Sequence, residues 1–173
     1  VILSHHENVP LQLLKKIKSK SLGNSENKII QGDNLLALRS LAERYAGKIK
    51  CVCIDPPYNT GQKEDPWSYS DNVDDPVIKK WLNRTVGAEG IDRLRHDKWC
   101  CMMYPRLKLL EKIMHSAGII FVSIDDNEAA NLIAMMNMIF GRKNFVGQLP
   151  TVMNLKGNNT EYGFAGTHEY TVV

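Results

Sequence analysis

Residues 32 to 61 read GDNLLALRSLAERYAGKIKCVCIDPPYNTG. Gly32-Asp33-Asn34 turns the chain into a helix whose apolar stripe, Leu35, Leu38, Ala42 and Tyr45, has helical spacing, and Gly47 ends it. A strand, Ile49 to Ile54, follows at once. A shorter strand is expected before the helix, at Lys28 to Gln31. Strand, helix and strand in this order form a right-handed parallel unit if both strands share a sheet.

The pattern repeats outward. After the two prolines a polar stretch runs to Asp75, followed by a helix around Val77 to Thr85 and a longer one from about Arg93 to His115. The longer helix packs through Met103, Leu107, Leu110 and Met114, and Pro105 should kink it or start its second half. Gly118 closes it and opens a strand at Ile119 to Ile124. A helix with Leu132, Met136 and Ile139 on its apolar face then runs to Gly141, and extended pieces at Phe145 to Met153 and Glu169 to Val173 follow. Upstream, Pro10 to Lys20 reads as a helix and Ser19 to Asn27 as a linker. The expected division is residues 1–27, helix and linker, and residues 28–173, the α/β part. Apolar strands alternating with amphipathic helices predict an open α/β sheet with helices on both faces. Ligands of such sheets sit beyond the carboxyl ends of the strands, where Asp33, Asp55 and Asp125 fall.

Composition narrows the class without choosing a function. At 173 residues, with 43% apolar and 24% charged residues, the chain has the size and balance of one ordinary globular domain. Its longest apolar stretch, Gly118 to Ile124, is too short to span a bilayer, and no signal-peptide layout opens it, so a cytoplasmic protein is expected. Cys51/Cys53 and Cys100/Cys101 lack the spacing of a zinc clasp and read as reduced structural thiols. The net charge of +3, with basic clusters at 15–20, 79–84 and 93–98, permits a nucleic-acid partner without arguing for one. Val1 in place of Met, and an alternating run that stops at Val173, predict an excerpt of a longer polypeptide.

The chemistry concentrates at the end of the 49–54 strand. Proline fixes its own backbone angle, lacks an N–H and forces the preceding residue into an extended conformation. Asp55-Pro56-Pro57 is therefore a rigid shelf that offers a carboxylate and backbone carbonyls but no donors. Such a shelf suits activation of an amino group on an aromatic ring, whose delocalised lone pair is a poor nucleophile. The Asp55 carboxylate and the Pro56 carbonyl would hold the two N–H groups and favour the positive charge that grows during attack. Tyr58 would supply a stacking face, a contact worth about 1 to 3 kcal/mol.

Asp-Pro-Pro-Tyr after an apolar strand resembles the signature of the amino-methyltransferases, and Asp in first place resembles the DNA adenine methyltransferases of the beta class. GDNLLAL at 32–38, IDPPYNTG at 54–61, RHDKWCCMMYPRLKLL at 95–110, IIFVSIDDNE at 119–128, FGRKNFV at 140–146 and THEYTVV at 167–173 resemble the modification subunits of type III restriction systems. The resemblance covers nearly everything from Gly32 onward. It implies a Rossmann-like methyltransferase sheet, of which the catalytic half is present, and methyl transfer from S-adenosylmethionine to the amino group of an adenine flipped out of the duplex. Carried over by position, it implies Asp55, Pro56, Pro57 and Tyr58 as the catalytic set, with Asn59 at the target base or DNA. Phe164 and His168, in the loop before the last strand, are expected to approach the target base as well, although packing is the commoner role for a residue such as Phe164. Asp33 and Asn34 are implied beside the cofactor, although Asp33 equally suits a helix cap. Implied partners are duplex DNA, a restriction nuclease subunit and a second copy of the chain, with no membrane.

The resemblance is incomplete in one respect. The glycine-rich Phe-x-Gly-x-Gly turn of these enzymes is absent; the nearest string, Phe164-Ala165-Gly166-Thr167-His168, lacks the last glycine and reads as a loop before a strand. The target-recognition region is likewise expected elsewhere in the polypeptide. Asp125, Asp126 and Glu128 suggest a metal site, but Asp125 and Glu128 have capping-box spacing and methyl transfer needs no metal, so no metal is expected. The alternatives are an RNA or protein-amide methyltransferase with a similar Pro-Pro signature, or a non-catalytic DNA-binding or subunit-docking fragment.

Overall fold

The computed structural model describes residues 5–18, 26–59, 95–153 and 168–173. Helix α1 (Asn34–Tyr45) leads into strand β1 (Ile49–Ile54); helix α2 (Arg95–Ile113) leads into strand β2 (Met114–Ile124). Helix α3 (Ala129–Met136) continues through a π-helical turn (Asn137–Gly141) and a 3-10 turn (Arg142–Asn144) toward strands β3 (Gln148–Val152) and β4 (His168–Val172). The strands form one mixed sheet in the order β1-β2-β4-β3, with β1 and β2 parallel and the other neighbours antiparallel.

Local chemistry accounts for the boundaries. The Asp33 carboxylate accepts from the Leu36 N–H at 2.9 Å and so caps α1. Gly47, at φ 65, takes the left-handed conformation that releases the chain into β1. Helix α2 runs through Pro105, which is fully buried, and Arg106 Nη1 donates to the Met102 carbonyl at 2.7 Å in the turn around the proline.

The core lies against one face of the sheet. Register aligns Val52 with Ile120, Ile54 with Val122, and Val122 with Val172, so these side chains share a face. Val52, Ile120, Val122, Ile124 and Val172 are buried there with Trp99, Met103 and Leu107 of α2 and Leu132 and Met136 of α3. Each such apolar side chain contributes about 1.5 to 3 kcal/mol of transfer free energy. The alternate positions Cys51, Cys53 and Ile119 are exposed. Among the described residues, helices thus cover one face, where helices on both faces were expected.

Several other expectations differ from the structure. Residues 9–17 form no helix; a 3-10 turn at His5–Asn8 precedes them, and Leu11, Leu13, Leu14 and Ile17 are half-exposed or more. A short helix without a partner for its apolar face is marginal. Lys28 to Gln31 forms no strand, with Ile29 fully exposed, because no described strand lies beside it to complete its hydrogen bonds. Strand β2 begins five residues earlier than expected, at Met114, so Gly118 lies inside it. The register shifts between Ile49 and Cys51, and a Cβ on Gly118 would stand 2.9 Å from the His115 carbonyl oxygen and 3.0 Å from that of Ile49. Glycine is what lets the two backbones approach at this irregularity. The helix expected at 77–85 and most of the linker at 19–27 fall outside the described residues.

Candidate active site

Strands β1 and β2 run parallel, so Asp55 and Asp125 emerge at the same end of the sheet. Strand β4 is antiparallel and begins at that end, with Tyr170 opposite Ile124. The loop Asp55 to Asn59 therefore meets the start of α2, the β2–α3 connection and the start of β4, and each of them holds it by a named bond.

The Asp55 carboxyl is exposed, Pro56 is buried and Tyr58 is half-buried against the core cluster. Trp99, fully buried on α2, donates its indole Nε1–H to the Pro57 carbonyl at 2.6 Å. Tyr58 Oη donates to Glu169 Oε2 at 3.2 Å. The Tyr58 phenol is pushed well above its ordinary range by burial first, then by the negative charges of Asp55 and Glu169, so it stays neutral.

Asn59 ends the described loop at φ 59, a left-handed backbone that asparagine tolerates better than most residues. It is 7% exposed, and its Nδ2 donates to Glu128 Oε1. Glu128 is itself fully buried and has two further partners: His96 Nδ1 at 2.7 Å from Oε1 and Asn131 Nδ2 at 2.7 Å from Oε2. An ionised carboxylate can accept from all three, with the imidazole hydrogen on Nδ1.

This corrects the reading of Asp125 and Glu128 as a capping box. Glu128 stands at the N-cap of α3 but makes no side-chain cap bond. Its carboxylate turns inward, where Asn59 offers a donor. Asp125 instead closes a local turn, accepting from the Asn127 N–H at 2.9 Å and from Asn127 Nδ2 at 2.6 Å. Burial raises the Asp125 carboxyl above its ordinary value, against the lowering effect of the Asn127 bonds.

Asp55, Pro56, Pro57 and Tyr58 thus share one loop at the end of β1. Asn59 adjoins them, with its amide committed inward. Asp33 and Asn34 stand at the start of α1, where Asp33 is the cap and Asn34 Oδ1 accepts from Arg106 Nε at 2.7 Å. His168 is exposed at the first position of β4, opposite Val152. Phe164 lies outside the described residues. Sequence reasoning missed Trp99, His96, Glu128 and Glu169. His96 and Trp99 did carry a signal: three apart on one helix, they present two N–H groups to one side.

Residues 49–173 match the family described as DNA methylase. The chain is 40% identical over 161 residues to the Mod subunit of the type III restriction-modification enzyme EcoPI of Escherichia phage P1, a match covering 87% of this chain and 24% of the relative. It is 42% identical to the StyLTI Mod subunit of Salmonella typhimurium, over 71% of this chain and 20% of the relative. The type II methyltransferase M.KpnI of Klebsiella pneumoniae is 34% identical, over 88% of this chain and 33% of that protein. The chain therefore spans between a fifth and a third of the length of these relatives.

Proposed function

From the premise that this chain belongs to the DNA methylase family, we propose that it is the base-activating part of a DNA adenine methyltransferase of the type III modification kind. The observation that carries this reading is the Asp55-Pro56-Pro57-Tyr58 loop at the carboxyl end of a parallel strand, clamped by Trp99, Glu128 and Glu169. In this reading the sheet is Rossmann-like, residues 28–173 are its catalytic half, and the glycine-rich turn and target-recognition region belong to the rest of the polypeptide.

The chemistry follows from what the loop can and cannot do. An exocyclic amine conjugated with a ring has little basicity, so its lone pair must be localised before it attacks. The Asp55 carboxylate and the Pro56 carbonyl accept its two N–H groups, which draws electron density to nitrogen and stabilises the cationic amine as it forms. The prolines keep the acceptors from turning away. Tyr58, held by Glu169, stacks on the base once it has left the duplex. After transfer the amine carries an extra proton, which the Asp55 carboxylate is placed to accept and pass to solvent.

S-adenosylmethionine, when bound, supplies an electrophilic methyl group on a positively charged sulfur. The residues present fit such a group. Asp55 offers an exposed carboxylate, and Asp33, one of whose oxygens holds the Leu36 N–H, is exposed. Asp33 and Asn34 are the residues proposed to hold it, and Asn59, Phe164 and His168 are proposed near the target base. Duplex DNA and a restriction nuclease subunit are proposed partners, on the strength of the type III restriction-modification relatives, and a second copy of the chain is proposed beside them.

The test is methyl transfer by the complete polypeptide containing this chain. Given duplex DNA, RNA and protein acceptors together with labelled S-adenosylmethionine, it should place label on duplex DNA, recovered as N6-methyladenine. Label found mainly on RNA or protein would contradict the proposal.

A further inference from the structure

We propose that Glu128 is a positioning residue for the candidate active site: through Asn59 it sets the backbone that aims Tyr58 and the Asp55-Pro56 acceptors. The inference rests on the reading of that loop as the site of methyl transfer, and its test includes a measurement that does not.

A fully buried carboxylate is costly, because it gives up hydration that protein donors only partly replace. Position 128 nevertheless holds one, at 0% exposure, and its two oxygens gather Asn59, His96 and Asn131 from three separate parts of the chain. A cap does not explain it, since the side chain makes no cap bond. Core packing does not explain it either, since an apolar side chain of similar volume would fill the space without the desolvation cost. What the carboxylate does specifically is offer an acceptor to Asn59, the residue after Tyr58, whose backbone is left-handed at φ 59. Left-handed non-glycine residues persist where their surroundings hold them. Glu128 supplies that hold, and His96 and Asn131 keep the Glu128 oxygens pointed at it. Reacting groups held loosely by about an ångström lose rate on the order of a hundredfold, so the consequence is catalytic although Glu128 touches no substrate.

Two near-isosteric substitutions separate an acceptor role from a packing role. Glu128→Gln keeps one oxygen for Asn59, while Asn131 can rotate its amide to accept from the new NH2. Glu128→Met keeps the volume and has no strong acceptor. In the complete polypeptide, Glu128→Met should lower kcat for duplex DNA by about tenfold or more, with little change in the KM for DNA or S-adenosylmethionine. Glu128→Gln should stay within about threefold of the wild type. Backbone amide exchange at Tyr58 and Asn59, measured without substrate, should quicken in Glu128→Met and not in Glu128→Gln.

If Glu128→Met does not fold, a polarity swap replaces it. Asn59→Asp sets two carboxylates against each other and should cut kcat and quicken exchange. Combining it with Glu128→Gln gives the introduced carboxylate a donor and should restore the wild-type exchange at Tyr58 and position 59, since directly coupled residues are not additive. The proposal is overturned if Met and Gln variants lose kcat equally, if neither changes kcat or exchange, or if the swap restores nothing. A wild-type polypeptide that does not methylate DNA, but whose exchange responds as described, would contradict the proposed function and leave the Glu128 hold standing.

Discussion

The indole Nε1 of Trp99 donates to the Pro57 carbonyl across 2.6 Å, tying a fully buried side chain on α2 to the loop that follows β1. Two segments 42 residues apart are thereby locked at the point where the candidate chemistry occurs. The second proline has no N–H with which to fix the loop, so its carbonyl is the handle that remains.

Trp99→Phe keeps most of the buried ring and deletes that bond. Leaving the carbonyl unpaired should cost about 1 to 3 kcal/mol in unfolding free energy, read from denaturant curves of the complete polypeptide. Turnover should fall more than affinity for DNA, because the shelf loosens while the binding surface stays.

Tyr58 separates stacking from hydrogen bonding. Tyr58→Phe keeps the ring and loses the hydroxyl's bonds to Glu169 and Asp55, and should retain most activity, whereas Tyr58→Ala loses a stacking face worth about 1 to 3 kcal/mol. Burial and the neighbouring carboxylates raise the phenol, so the fold favours its neutral form. The resulting stabilisation is complete below the unfolded value of about 10 and is lost only as pH rises through the folded one. Rate profiles of wild type and Tyr58→Phe should therefore have the same shape from about pH 6 to pH 9.

Two glycines should respond oppositely to alanine. At Gly118 the new methyl would meet backbone carbonyls at 2.9 and 3.0 Å, and Gly118→Ala should destabilise by about 1 to 3 kcal/mol. At Gly147 nothing lies within 4 Å and φ is ordinary, so Gly147→Ala should be neutral or stabilise by up to about 1 kcal/mol. Denaturant midpoints of the two variants give the comparison.

Cys100 should be a slow thiol. Burial first, then the charge of Glu128, pushes its pKa up to about 11 from 9.0. At pH 8 its thiolate fraction is about a hundredfold below that of an unperturbed cysteine, and alkylation should slow in proportion. Peptide mass spectrometry after timed iodoacetamide treatment reports the rate residue by residue.

The elements legible in the sequence were those whose signals are local. The cap, stripe and closing glycine of α1 lie within fifteen residues, and the apolar run of β1 ends at a dipeptide of unmistakable stiffness. Alternation in Ile119 to Ile124 marked the buried half of β2, but its first five residues carry no such pattern and are strand because β1 lies beside them. Lys28 to Gln31 shows the converse, an apolar segment that forms no strand. The Asp55-Pro56-Pro57-Tyr58 string of the candidate site stands out for the same local reason. Its supports do not: Glu128 has the spacing of a cap, and only the tertiary fold brings it to Asn59, 69 residues away. Glu169 lies further still, 111 residues from Tyr58.

The central claim is that Asp55, with the Pro56 carbonyl, activates the target amine. Single-turnover methyl transfer to duplex DNA by the complete polypeptide carrying Asp55→Ala tests it most directly, with DNA affinity measured on the same preparation. The account predicts a loss of at least about a thousandfold in rate with DNA binding retained. Transfer at the wild-type rate would contradict it.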